Sequence, residues 1–166
     1  MKKKLLFIVC LLISTASLVS AQEAPKIYHP EANAKEEMKA AIARAKKEGK
    51  HVLLQIGGNW CSWCLRFNKT VTEDKQLDSA LNANYVIYHL NYSKENKNEE
   101  ILAELGYPQR FGFPVFVILD SKGNRLNTQN SAYLEQDKGY SKAKVLEFFT
   151  QWGPKALDPK SYPKEK

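Results

Sequence analysis

Cys61 and Cys64 stand between a short apolar run and the start of a helical stretch, and no other feature limits this chain as strongly. His51-Val-Leu-Leu-Gln-Ile56 is an unbroken run closed by Gly57-Gly58, the pattern of a strand buried on both faces. Asn59-Trp60-Cys61-Ser62-Trp63-Cys64-Leu65-Arg66-Phe67 follows and can open a helix. Two cysteines three apart at a helix start close a small, reducible ring. The first thiol would lie near unsatisfied backbone N–H groups and the positive end of the helix dipole, which favours its thiolate. The second, one turn on, is placed to attack a mixed disulfide made by the first. The spacing therefore predicts Cys61 as the attacking sulfur and Cys64 as the resolving one. Run backwards, the same pair donates a disulfide.

Other chemistries fit less well. Zinc needs four ligands, and His29, His51 and His89 form no ligand spacing with the pair, so no metal site is expected. Leu65, not His, follows Cys64, so the haem-attachment motif is absent. Soft thiolates suit Cu(I), but Met38 is the one Met beyond the leader and no His adjoins the pair. A purely structural disulfide would close too short a loop to constrain the unfolded chain much.

The first 21 residues change how charge and cysteines are read. Met1-Lys-Lys-Lys4 precedes an uncharged run from Leu5 to Ile13, and Val19-Ser20-Ala21 ends the stretch. A basic start, a short apolar core and a small-x-Ala end make a cleavable secretory signal peptide at 1–21, with a mature start at Gln22. The core is short against the roughly 20 apolar residues of a span, so no stable membrane insertion is expected after cleavage. The whole chain of 166 residues has 25 Lys and Arg against 18 Asp and Glu, a charge of +7. Losing Lys2, Lys3 and Lys4 leaves 22 against 18, or +4, and the remaining basic residues are scattered. That is a solvated surface, not a nucleic-acid footprint. Cys10 leaves with the leader. Cys61 and Cys64 then remain in an oxidising compartment, where they can form one disulfide with each other.

Beyond a linker at 22–30, the pattern predicts a helix from Glu31 to Glu48, with Met38, Ile42 and Ala45 on its apolar face and Gly49 as its stop. After the cysteines, a second helical piece covers Asp74 to Asn82, and Tyr85 to Asn91 is a strand. Lys94 to Leu105 starts polar and then turns helical. Val115-Phe-Val-Ile-Leu119 is the strongest strand signal, with a turn at Asp120 to Gly123 and a returning strand at Arg125 to Thr128. Asn127 to Gly139 reads as a long loop. Ser141 to Trp152 reads as a last helix, burying Val145, Phe148, Phe149 and Trp152. The tail from 154 to 166 reads as loose. Early alternation argues for parallel strands under helices, and the late adjacent pair for a hairpin.

Together, Val52-Leu-Leu-Gln-Ile-Gly-Gly-Asn-Trp-Cys-Ser-Trp-Cys64, Tyr85 to Asn91 and Gly112-Phe-Pro-Val-Phe-Val-Ile-Leu-Asp-Ser-Lys-Gly123 resemble the thioredoxin superfamily over roughly residues 31–153. The chain looks most like secreted bacterial thioredoxin-like proteins related to disulfide-bond reductases and isomerases. The resemblance implies an α/β fold with a central mixed sheet of four to five strands flanked by helices. It also implies a cis Pro114 against the cysteines, with the backbone of Phe113 offered to an extended substrate and Trp60 flanking the reactive sulfur. Three features depart from the family pattern. Gln55 stands where many members carry a buried Asp, and it can orient a water but cannot act as a base. His89 stands where a Lys is common. It reads as a half-buried packing residue, or as a proton acceptor if it faces Gln55 and Cys64. Ser62-Trp63 replaces Gly-Pro, and that pair tunes thiolate stability. Trp63 would contact a partner or pack beside Phe67.

The expected activity is thiol–disulfide exchange on protein thiols and disulfides, in the bacterial periplasm or outside the cell. It needs no cofactor beyond the Cys61–Cys64 disulfide, and an upstream protein would supply electrons. The alternative is a non-enzymatic peptide-binding module with a structural disulfide. The segments 94–105 and 127–139 exceed what a minimal thioredoxin needs, and long loops often carry function.

Overall fold

Seven consecutive residues of the first strand, β1 (His51–Gly57), run through the middle of the molecule, and six of them are buried. In the computed structural model, which describes residues 26–163, this strand has a neighbour on each side. On one side lies β2 (Tyr85–Asn91), parallel to it, with Gln55 opposite His89. On the other lies β3 (Val115–Leu119), antiparallel, whose five residues are all buried. β4 (Arg125–Asn130) completes the order β2-β1-β3-β4. The expected mixed sheet is therefore present, with four strands. The signal-peptide expectation, the Gln22 start and Cys10 lie outside the described residues.

Connections explain the mixture of directions. Between β1 and β2 the chain crosses over through α2 (Ser62–Glu73) and α3 (Lys75–Asn84), so the strands run parallel. Asp74 separates the two helices and caps the second, accepting from the N–H groups of Gln76 and Leu77. Between β3 and β4 there is only a tight turn. Asp120 Oδ1 accepts from Lys122 N and Asn124 N, each at 2.8 Å, which folds the chain straight back.

Each face of the sheet has its own cover. Helix α1 (Ala34–Glu48) and the short α4 (Glu99–Glu104) enclose Val52, Leu54, Ile56, Val86 and Leu90. Helices α2, α3 and α5 (Lys142–Gln151) enclose Leu53, Phe116 and Ile118, with Phe67, Val145 and Phe149 among their own contributions. Helix α1 starts three residues later than its composition suggests, because the Asn33 side chain caps it through Glu36 N. Its buried stripe is Ala34, Ala41 and Ala45, with Met38 and Ile42 at the margin.

The long loop expected from Asn127 to Gly139 is corrected. β4 continues to Asn130, whose side chain caps a 3-10 turn over Ser131–Leu134. A two-residue hairpin, β5 (Glu135–Gln136) with β6 (Gly139–Tyr140), follows. Leu134 is buried and Tyr140 half-buried, so this segment is ordered by its few apolar residues against α2 and α5. The tail expected to be loose holds a 3-10 turn at Pro159–Ser161, capped by Asp158, although it is exposed. No helix among the described residues is long and apolar enough to cross a membrane.

Leu54 is fully buried on the α1 face of the central strand. Leu54→Ala is expected to cost about 2–5 kcal/mol in urea unfolding, the range for such cavities. Tyr133→Ala, at a side chain 73% exposed, is expected to change stability by less than about 0.5 kcal/mol. Comparable losses in the two variants would contradict this placement of the core.

Candidate active site

The carboxyl end of β1 delivers the chain into Gly57 and Gly58, and Cys61 then serves as the N-cap of α2. Its sulfur occupies the place of a capping oxygen: Cys64 N–H donates to Cys61 Sγ at 3.2 Å. The first turn of α2 holds no acidic residue to offset the positive end of the dipole. A thiolate at Cys61 would meet a backbone donor and a favourable field together. Cys61 and Cys64 form a disulfide with sulfurs 2.13 Å apart. Cys61 keeps 5% of its surface open and Cys64 none, so of the two residues only Cys61 offers any surface to a second molecule.

The Phe113–Pro114 peptide bond is cis, as the resemblance implies, and Phe113 packs against the Cys61–Cys64 cluster. Pairing of β3 with β1 ends at Val115 opposite Ile56, so the backbone of Phe113 lies beyond the ladder. Three aromatic rings make a wall beside it. Tyr92 stacks on Phe113 at 4.8 Å, and Trp60 meets Phe113 edge-on at 5.5 Å. Trp60 Nε1 donates to Tyr92 O at 2.7 Å, which fixes the indole while leaving it 58% exposed. Beyond Trp60 a groove of about 910 Å³ runs between Tyr28, Asn59, Tyr92 and Lys97, and none of Cys61, Cys64 or Pro114 lines it.

Of the intervening pair, Ser62 is exposed. Trp63 takes neither of its two expected positions alone. Its ring meets Tyr140 edge-on at 5.5 Å, the Arg66 guanidinium lies 4.7 Å from its centroid, and Tyr140 also meets Phe67. The hairpin that the sequence hid thus supports Trp63, the second of the two residues between the cysteines.

Behind Cys64 the structure brings Gln55 and His89 together on neighbouring strands. Gln55 is fully buried. Its Nε2 donates to Tyr28 Oη at 2.9 Å and to Cys64 O at 3.0 Å. Tyr28 is the residue that sequence reasoning missed, inside the stretch taken as a linker. It is buried, packs on both cysteines and meets the His89 ring edge-on at 5.5 Å. Asn59 holds it in place: Oδ1 accepts from Ile27 N and Tyr28 N, and Nδ2 donates to Tyr28 O. The signal available was Ile27-Tyr28, an apolar pair in an otherwise polar stretch. Gly57 was also missed. A Cβ on it would overlap Cys64 Sγ, so only glycine lets the strand pass this close to the sulfur.

The other histidines stay apart from the pair. His51 Nδ1 bonds Trp152 O at the far end of β1, and His29 faces Glu31 on the surface. No group of three or more His, Cys, Asp or Glu among the described residues could hold a metal.

Burial, with a smaller contribution from His29, holds the His89 imidazole down to about 4, against 6.5 ordinarily. His89 is therefore neutral near pH 7, and its role as a pH-sensitive proton acceptor there is unsupported. The unfolded chain takes up this proton near pH 6.5, whereas the folded protein resists until about 4. Folding thus binds fewer protons in that window, and stability falls as the pH drops from 6.5 towards 4, by up to ~3 kcal/mol. His89→Gln is expected to flatten this slope in urea midpoints taken from pH 7 to 4.5. Equal slopes in both proteins would contradict the assignment.

Comparison with known proteins agrees with this architecture. A thioredoxin-like family model matches residues 33–121, which include β1, both cysteines and cis-Pro114. A search of curated proteins gave no significant match. Among solved structures, the disulphide isomerase from Xylella fastidiosa Temecula1 superposes with a TM-score of 0.66 at 24% identity, covering 75% of this chain and 94% of that one. The oxidised DsbD C-terminal domain of Neisseria meningitidis gives 0.51 at 21%, covering 70% and 94%. These likenesses concern the fold. With the family match spanning more than half of its residues, the chain belongs to the thioredoxin-like family.

Proposed function

We propose that the protein is a thiol–disulfide oxidoreductase acting on protein disulfides in the periplasm or outside the cell, after removal of residues 1–21. The observation that carries this is the position of Cys61: its sulfur caps α2 and accepts from Cys64 N, and Cys61 is the residue of the pair that keeps any open surface. In the reduced protein the Cys61 thiolate attacks one sulfur of a substrate disulfide. That S–S bond breaks, one substrate thiolate leaves, and a mixed disulfide with Cys61 remains. Cys64 then attacks Cys61 Sγ, the second substrate thiol departs, and the Cys61–Cys64 bond forms.

Trp60, Phe113 and Pro114 are the substrate-binding residues in this reading. The backbone at Phe113 would pair with an extended peptide strand, which gives affinity with little demand on sequence. Ser62 and Trp63 tune the thiolate. Reduction or isomerisation is the proposed direction, as the resemblance of the Trp60–Cys64 and Phe113–Pro114 motifs suggests. An oxidising compartment then requires a protein donor that returns two electrons to the pair.

Reduction of insulin by the purified protein with dithiothreitol as electron source is the direct assay. Cys61→Ser is expected to lower the rate to background. Cys64→Ser is expected to accumulate a mixed disulfide detectable by mass. Undiminished turnover by Cys61→Ser would overturn the reading and favour a binding module with a structural disulfide.

A further inference from the structure

The side-chain amide of Gln55 has one defined orientation. The carbonyl oxygen of Cys64 can only accept, so the group 3.0 Å from it is the NH₂, and that same NH₂ donates to Tyr28 Oη. The phenolic proton of Tyr28 therefore points away from Gln55 Nε2. It does not go to Gln55 Oε1 or His89 Nε2, which are both buried and have no partner. Gly57 lies on the remaining side. A Cβ built on Gly57 would sit 3.0 Å from Tyr28 Oη and would overlap Cys64 Sγ, so phenol and sulfur both face the same bare side of the strand. A disulfide sulfur is a poor acceptor, whereas a thiolate is a strong one.

We infer that Tyr28 is a positioning residue that donates a hydrogen bond to the Cys64 thiolate, from the pocket where Gln55 leaves no carboxylate. The inference rests on the redox reading above and concerns its second step. There Cys64 sulfur bonds to Cys61 sulfur, the bond from Cys61 to the substrate sulfur breaks, and that sulfur leaves with the electron pair. The proton lost by the Cys64 thiol ends on the departing substrate thiolate through solvent. Tyr28 keeps its own proton, since burial raises its hydroxyl far above the usual phenol range. The other titratable groups around the pocket are Cys61 on α2, His89 on β2, His29 beside Tyr28 and Tyr140 of the hairpin, and Arg66 lies over Trp63. All of them remain in a Tyr28→Phe protein, so a difference between the two proteins reads the phenol alone.

The test follows reaction of the reduced protein with 5,5′-dithiobis-(2-nitrobenzoic acid), in a Cys10→Ser background. The first thionitrobenzoate is released when Cys61 attacks, and the second when Cys64 resolves. Tyr28→Phe is expected to leave the first phase unchanged and to slow the second about tenfold at pH 7. Its pH midpoint is expected to rise by about one unit, the same free energy expressed as a proton affinity. A second phase whose midpoint does not move overturns the inference, whatever its rate, because lost packing alone would slow it at every pH. Wild-type protein without a first phase overturns the redox reading itself. A second measurement needs no variant: in the reduced wild type, the Tyr28 Cζ NMR resonance is expected to titrate with the Cys64 Cβ resonance. A Tyr28 signal flat through that titration would contradict the hydrogen bond.

Discussion

The hydrogen bond from Cys64 N to Cys61 Sγ ties the chemistry of this protein to its fold. It exists because Cys61 is the N-cap at which the turn after β1 enters α2. β1 is held between β2 and β3 and covered on both faces, so its last residue is fixed in space. The helix whose N-cap lies four residues beyond it inherits that precision. The dipole and free N–H groups of its first turn then act on a sulfur that cannot move away from them. Disruption of the sheet would remove the thiolate's stabilisation together with the core.

A second set of contacts closes the site from behind. The N-terminal segment is pinned by Asn59, two residues ahead of Cys61, and it carries Tyr28 into the space between Gln55, His89 and Cys64. This makes the pocket behind Cys64 polar but uncharged near neutrality. His89 is held neutral by burial, and the position that could have carried a carboxylate carries an amide. Hydrogen bonding, not a titrating base, is what this pocket offers to Cys64.

Much of this was legible in the residue order. β2 from Tyr85 to Asn91 and β3 from Val115 to Leu119 fall where the sequence predicts, because short runs of β-branched, aromatic and aliphatic residues bounded by turn residues have few other readings. The cysteine pair was legible because its spacing has few uses. The cis bond at Phe113–Pro114 came from family resemblance, since nothing in the local composition specifies the isomer. Tyr28 and the hairpin at 135–140 were not legible, for one shared reason. Their order comes from contacts distant in sequence: Asn59 and Gln55 for Tyr28, Trp63 and Phe67 for Tyr140. A short stretch of polar residues with one or two aromatics carries no periodicity that betrays such contacts.

Equilibration of the Cys61–Cys64 pair with glutathione and dithiothreitol tests the central claim most directly. The account predicts a reversible two-electron couple in the reductase-to-isomerase range, between roughly −270 and −180 mV. A pair that neither couple can reduce would show that the disulfide is structural. A potential near roughly −120 mV would make the protein an oxidant and reverse the proposed direction of electron flow.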